Sequence, residues 1–130
     1  LVLTLSAVAS AQVMPQHVRL DVMPVGSPLD TDTEQSRDIA IANFDGSVDG
    51  SLDIYVVNLN QANSLYLNDG FGVFTKSVAA GPAITDVFDS RGVSLADVEP
   101  DGDIDIFVCN SSGQANNLYL NDGSGVFTSV

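Results

Sequence analysis

The sequence predicts an all-β protein made of β-propeller blades, about four antiparallel strands to a blade, in an incomplete propeller. Three observations carry that expectation. A block of about 53 residues occurs twice. Each copy breaks into short apolar runs separated by turn residues, and each carries a nine-residue loop crowded with carboxylates at the same phase. A fixed period of this size marks a stacked or radial repeat architecture, and no convincing amphipathic helix interrupts it.

Along the chain, residues 1–11 (L-V-L-T-L-S-A-V-A-S-A) are apolar or small and uncharged, and they end in an A-x-A pattern of the kind cut by signal peptidase. The stretch is too short to span a bilayer, and a buried strand is the competing reading. Its basic n-region is missing, which suits a signal peptide truncated at its start, so export is expected, to the extracellular or periplasmic space or the cell surface. Residues 12–35 carry Pro15, Pro24 and Pro28 and no period, and read as lead-in and linker, with a short strand at 18–22. Repeat 1 then runs over 36–89 and repeat 2, truncated, over 90–130.

Within each repeat the first strand alternates, Ile39 and Ile41 with Ala40 and Ala42, then Val93 and Leu95 with Ser94 and Ala96. The second is a continuous apolar run, Ile54–Val57 and Ile106–Cys109, as expected for burial on both faces. Cys109 takes the place of Val57 and reads as a small buried hydrophobe, and as the only cysteine it excludes an intrachain disulfide framework. Leu65–Leu67 and Leu118–Leu120 form the third strand, and Val73–Thr75 and Val126–Thr128 the fourth. Between them Asn68-Asp69-Gly70 and Asn121-Asp122-Gly123 read as hairpin turns, because Asn, Asp and Gly tolerate positive φ.

The acidic loops carry the chemistry. In repeat 2 the loop is Asp97-Val98-Glu99-Pro100-Asp101-Gly102-Asp103-Ile104-Asp105, with oxygen side chains at positions 1, 3, 5 and 9 and a glycine at position 6. Its early part follows the spacing by which an EF-hand loop turns alternate side chains onto a cation, with Asp103 offering its backbone carbonyl. Repeat 1 has Asp45, Ser47, Asp49, Ser51 and Asp53 in the same frame. A second register sets Asn43 opposite Asp97 and leaves a two-residue insertion, so Asn43 either is a ligand or precedes the loop. Two carboxylates about 5 Å apart repel by roughly 3 kcal/mol at an effective dielectric of about 20, so such a loop needs a cation to stay ionised and closed. Ca²⁺ suits an all-oxygen set of flexible geometry better than Mg²⁺ does, and zinc's Cys and His ligands are missing. A solvated acidic turn is the plain alternative, and its recurrence at one phase with Gly at position 6 and Asp at position 9 weighs against it.

The pattern A-D-x-E-x-D-G-D-I-D-I-F-V, followed by N-N-L-Y-L-N-D-G-S-G-V-F-T, closely resembles the FG-GAP/VCBS repeat family, related to integrin α-subunit propellers. The resemblance covers residues 36–130. It implies a propeller, commonly of about seven blades, with Ca²⁺ held between the first two strands of a blade. The implied ligands are Asp97, Glu99, Asp101, Asp103 and Asp105, and Asp45, Ser47, Asp49, Ser51 and Asp53. Glu99 is longer than the family's usual Asp or Asn, Pro100 stands where Gly is common, and Ser47 replaces a carboxylate.

Net charge is −13, with 17 acidic residues against four basic ones. A nucleic-acid binder needs a basic face, and an anionic membrane repels such a chain, so both are excluded as direct partners. Arg37 and Arg91 stand at equivalent positions and are expected to pair with carboxylates at a blade edge. Asn58 and Asn110 are expected to cap turns. His17 is the only histidine, and nothing near it supports nucleophilic catalysis; no enzyme is expected in this segment. Two units without caps read as a fragment whose further propeller blades lie in missing sequence. The expected role is a calcium-binding protein- or glycan-binding module or scaffold. The rivals are a non-catalytic accessory of a secreted enzyme and a structural spacer.

Overall fold

The computed structural model describes residues 27–130. The expected leader, the strand at 18–22 and His17 lie outside them. Helix α1 (Pro28–Thr31) leads into strands β1 (Ser36–Ala42), β2 (Asp53–Ala62), β3 (Ser64–Asn68) and β4 (Phe74–Lys76). Helix α2 (Pro82–Thr85) then leads into β5 (Val87–Ala96), β6 (Asp105–Asn110), β7 (Asn117–Asn121) and β8 (Phe127–Ser129). The fold is all-β, an incomplete propeller in which each strand of a blade pairs antiparallel with the one before it.

The two blades repeat residue by residue. Ala42 pairs with Asp53 as Ala96 does with Asp105, and Tyr55 faces Leu65 as Phe107 faces Leu118. Both first strands bulge at the same place, between Ser36 and Asp38 and between Ser90 and Gly92. Arg37 and Arg91 are therefore the extra residue of a β-bulge, a recurring feature that turns the start of the strand. The blades are stitched by the far end of β2, where Leu59–Ala62 pair with Val87–Asp89 of β5.

Two short helices went unforeseen, because one helical turn is too short to display a period. Each starts at a proline in the first helical position, behind Ser27 in one case and Gly81 in the other. The repeat thus reaches back to Ser27, into the stretch read as linker. Asp32 follows α1 and accepts a hydrogen bond from the Tyr66 hydroxyl, just as Asp86 follows α2 and accepts one from Tyr119. Lys76 closes the first of these ties by ion pairs to Asp32 (2.8 Å) and Glu34 (2.6 Å).

The core lies between the blades. Phe44, Tyr55, Val57 and Leu65 of the first meet Ile106, Val108, Tyr119 and Phe127 of the second, with Ala80 and Ala83 closing one side. Phe44 sits edge-on to Tyr55 at 6.4 Å and to Phe127 at 6.1 Å. Burial of such side chains contributes about 1.5–3 kcal/mol each, which makes this seam the principal source of stability.

Strand β2 is buried on both faces as expected, but β6 is not. Ile106 and Val108 are buried and Phe107 and Cys109 exposed, so β6 alternates. Cys109 is exposed, contrary to its reading as a buried hydrophobe. Its counterpart Val57 is 0 % exposed because blade 2 covers it; nothing among the described residues covers Cys109.

Candidate metal centre

Both acidic loops join the first two strands of a blade, and both are closed by the same device. Asp53, the first residue of β2, is buried; its Oδ2 accepts the Phe44 N–H at 2.8 Å and its Oδ1 the Asn68 N–H at 2.9 Å. Asp105 does the same for the Val98 N–H (2.8 Å) and the Asn121 N–H (2.9 Å). Each carboxylate pins the base of its loop to the following hairpin with charge-assisted bonds. Burial pushes the Asp53 carboxyl up, against the pull of those two N–H donors and with the Asp45 charge adding to the rise. Of the ten expected ligands these two therefore carry a structural duty as well, each oxygen retaining a second lone pair.

The clamp also settles the register. Since Phe44 and Val98 occupy the same place, Asn43 is the counterpart of Asp97, and the first loop holds two residues more. Asn43 acts there as Asp97 acts in its own loop. Its Oδ1 accepts the Ser47 N–H at 3.1 Å while its Nδ2 donates to the Ser47 carbonyl at 2.9 Å. Asp97 accepts the N–H groups of Asp101 (3.2 Å) and Gly102 (3.0 Å). Further on, Asp49 accepts the Ser51 N–H at 3.0 Å and Asp101 the Asp103 N–H at 3.1 Å, again at matching positions.

Asp103 leans on the neighbouring hairpin so closely that a Cβ at Gly123 would collide with its carboxylate; Asp49 does the same at Gly70. Both glycines also have positive φ, 79° and 80°. The turn residues expected from the sequence are thus fixed twice, by backbone conformation and by the acid above them. Burial pushes the Asp103 carboxyl up, and the charges of Asp101, Asp97, Asp105 and Asp122 push it further. That crowding of like charge is the condition a cation would relieve.

The donors offered are carboxylate, hydroxyl, amide and carbonyl oxygens, the chemistry of a hard cation. Asp45, Ser47 and Ser51 are half-buried, and Asp49, Asp97, Glu99 and Asp101 are exposed. Among the described residues no three acidic, histidine or cysteine side chains are already gathered round one point. The loop carboxylates are instead turned onto loop N–H groups, so a bound cation would have to draw them together.

Outside the loops, Arg91 pairs with Asp89 at 2.8 Å, as expected, whereas Arg37 makes no ion pair among the described residues. Asp89 is 3 % exposed, and hydrogen bonds from Ser111, Ser112 and Arg91 hold its carboxyl down to about 2. Asn58 and Asn110 cap their turns by donating to the Ala62 and Ala115 carbonyls. Asn121 was read from the sequence only as a turn residue, yet its amide donates to both Ile104 O and Phe44 O and so crosses the seam. Its signal was present in the identical N-D-G of the two hairpins. Among the described residues no helix is long and apolar enough to cross a membrane.

A comparison with known families matches residues 43–108 to the FG-GAP-like repeat. The matched span opens at Asn43, the first residue of one loop, and takes in the whole of the next. No curated protein matches the chain.

Proposed function

This chain belongs to the FG-GAP-like repeat family, and from that footing we propose that it is a calcium-stabilised segment of an exported β-propeller, engaging a protein or glycan on the propeller surface and catalysing nothing itself. The observation that carries the calcium reading is the recurrence of one device. Two oxygen-only loops stand at the same phase, each pinned at its base by a buried Asp, and in the second loop burial, with like charge adding to it, raises Asp103. Asp97, Glu99, Asp101, Asp103 and Asp105 would hold the ion in loop two. In loop one Asn43 joins Asp45, Ser47, Asp49, Ser51 and Asp53. The fixed base suits a flexible upper loop that closes on Ca²⁺, which tolerates irregular oxygen geometry. Acidic surface and export go together with a partner that is neither nucleic acid nor membrane.

Calorimetric titration of the chain with Ca²⁺, with Mg²⁺ as control, tests this. Saturable binding approaching one ion per loop is expected, selective over Mg²⁺. An Asp101→Asn/Asp103→Asn variant should lose the loop-two site alone. A chain that is folded by circular dichroism and binds no Ca²⁺ would sink the reading.

A further inference from the structure

We propose that Asp45-Gly46 is the site at which this chain converts an aspartate to isoaspartate, and that the change loosens the seam between its blades. The inference goes beyond the calcium reading and does not depend on it.

Asp-Gly pairs are the sequence setting for this reaction, since glycine has no Cβ to hinder attack by its nitrogen. The chain has five: Asp45-Gly46, Asp49-Gly50, Asp69-Gly70, Asp101-Gly102 and Asp122-Gly123. The fold treats their carboxyls alike. In every pair the aspartate Oδ1 accepts the N–H of the residue after the glycine, at 2.9–3.1 Å, which folds the carboxyl back over the glycine peptide. The pairs differ at the glycine nitrogen. Gly50 donates to Ser47 O, Gly70 to Asn68 Oδ1, Gly102 to Asp97 Oδ2 and Gly123 to Asn121 Oδ1. The Gly46 N–H alone has no acceptor among the described residues, and Gly46 is exposed.

That difference decides reactivity. The glycine nitrogen must lose its proton to solvent base and attack the aspartate Cγ. An N–H held by an acceptor is protected from that loss, as it is from hydrogen exchange. At Asp45 the new N–Cγ bond closes a cyclic imide, and the carboxyl oxygen departs as water. A second water then opens the imide. Attack at Cγ restores aspartate. Attack at the former backbone carbonyl leaves the main chain running through Cβ and Cγ, with that carbonyl now the free carboxylate. Water is the only co-reactant.

The position sets the consequence. One residue earlier, the Phe44 carbonyl accepts the Asn121 amide at 2.9 Å across the seam. Gly125 lies against Asp45, and a Cβ at Gly46 would collide with the Gly123 carbonyl. A main chain lengthened by a methylene between these contacts pulls them out of register, and it takes the carboxylate off the Ser47 N–H.

The test is to age the folded chain at neutral pH in chelator and map isoaspartate by electron-transfer mass spectrometry, with heavy-oxygen water marking each imide opened. Isoaspartate at position 45 should accumulate at least about fivefold faster than at any other pair, the factor set by one hydrogen bond of ordinary strength. In urea, where every N–H is free, the five pairs should react at similar rates. Asp97→Ala frees the Gly102 N–H and should add Asp101-Gly102 as a second reactive pair. The aged fraction, isolated by chromatography, should unfold at a lower urea concentration than its parent. Equal reaction at another pair of the folded chain, none at position 45, or no gain at Asp101-Gly102 in the variant would each overturn the proposal. An aged form as stable as its parent would overturn the consequence for the seam.

Discussion

Asp53 and Asp105 show how one residue type serves two ends. Each buries a carboxylate whose two oxygens satisfy two backbone N–H groups, one in the loop and one in the hairpin. Asp105→Ala would strand both donors, and urea unfolding should report a loss of about 2–4 kcal/mol. An exposed acid of the same loop behaves differently: Asp101→Asn should leave stability without calcium within about 0.5 kcal/mol and act only on ion binding. Asp89 gives a pH signature. Its folded carboxyl titrates at about 2, below the ordinary carboxylate value of about 3.9 in an unfolded chain. Its contribution is therefore whole above that unfolded value and lost as pH falls toward 2. Asp89→Asn should flatten the acid side of the stability curve in that window, measured by denaturant unfolding at a series of pH values. Asp103 and Asp53, whose carboxyls are pushed up, act with the opposite sign and favour the fold as they protonate.

At the level of the element, the hairpins and loops are one unit rather than two. Gly70 and Gly123 lie under loop carboxylates, while nothing lies within 4 Å of a Cβ placed at Gly50, Gly72 or Gly102. Gly123→Ala should therefore cost about 2–3 kcal/mol, from backbone strain and displacement of Asp103. Gly72→Ala should cost only the backbone share of about 1 kcal/mol, both read by thermal unfolding. The eight strands were legible because their patterns repeat: alternation in β1 and β5, and apolar runs in β2 and β6. The helices α1 and α2 were not, since four residues cannot display a period. The loop register was undecided between Asn43 and Asp45 because sequence spacing cannot say where an insertion falls. The Asp53 clamp decides it, by bonding to Phe44. The acids at positions 9 were read as ligands, and their second duty was invisible, because a hydrogen bond to an N–H leaves no mark on side-chain pattern.

For the whole molecule the seam between blades decides stability. Phe44→Ala removes a ring shared by both blades and should cost about 3–5 kcal/mol in denaturant unfolding, more than the same change at exposed Phe71. Calcium at extracellular levels of about 1 mM, bound with a dissociation constant of about 10⁻⁴ M, would add about 1.4 kcal/mol per loop. That stiffens a blade without replacing the seam, so calcium should raise the midpoint of thermal unfolding modestly and leave the fold in place when removed. Cys109 was misread for a reason that belongs at this scale. Its strand has the composition of a buried one, and burial is a property of neighbours which a single repeat cannot supply.

The order of pairing has a consequence in time. Within a blade every strand meets the one that precedes it in the chain, so no pairing waits for a distant segment and the loops to be closed are short. Short loop closure favours rapid folding, and it lets blade 1 zip up while blade 2 is still leaving the ribosome. The crossing bonds, Tyr55 Oη to the Ala83 carbonyl and Asn121 to the Phe44 carbonyl, come later and in that sequence. A chain arrested between the two events would show its aromatic face to the chaperones of the compartment where it is made.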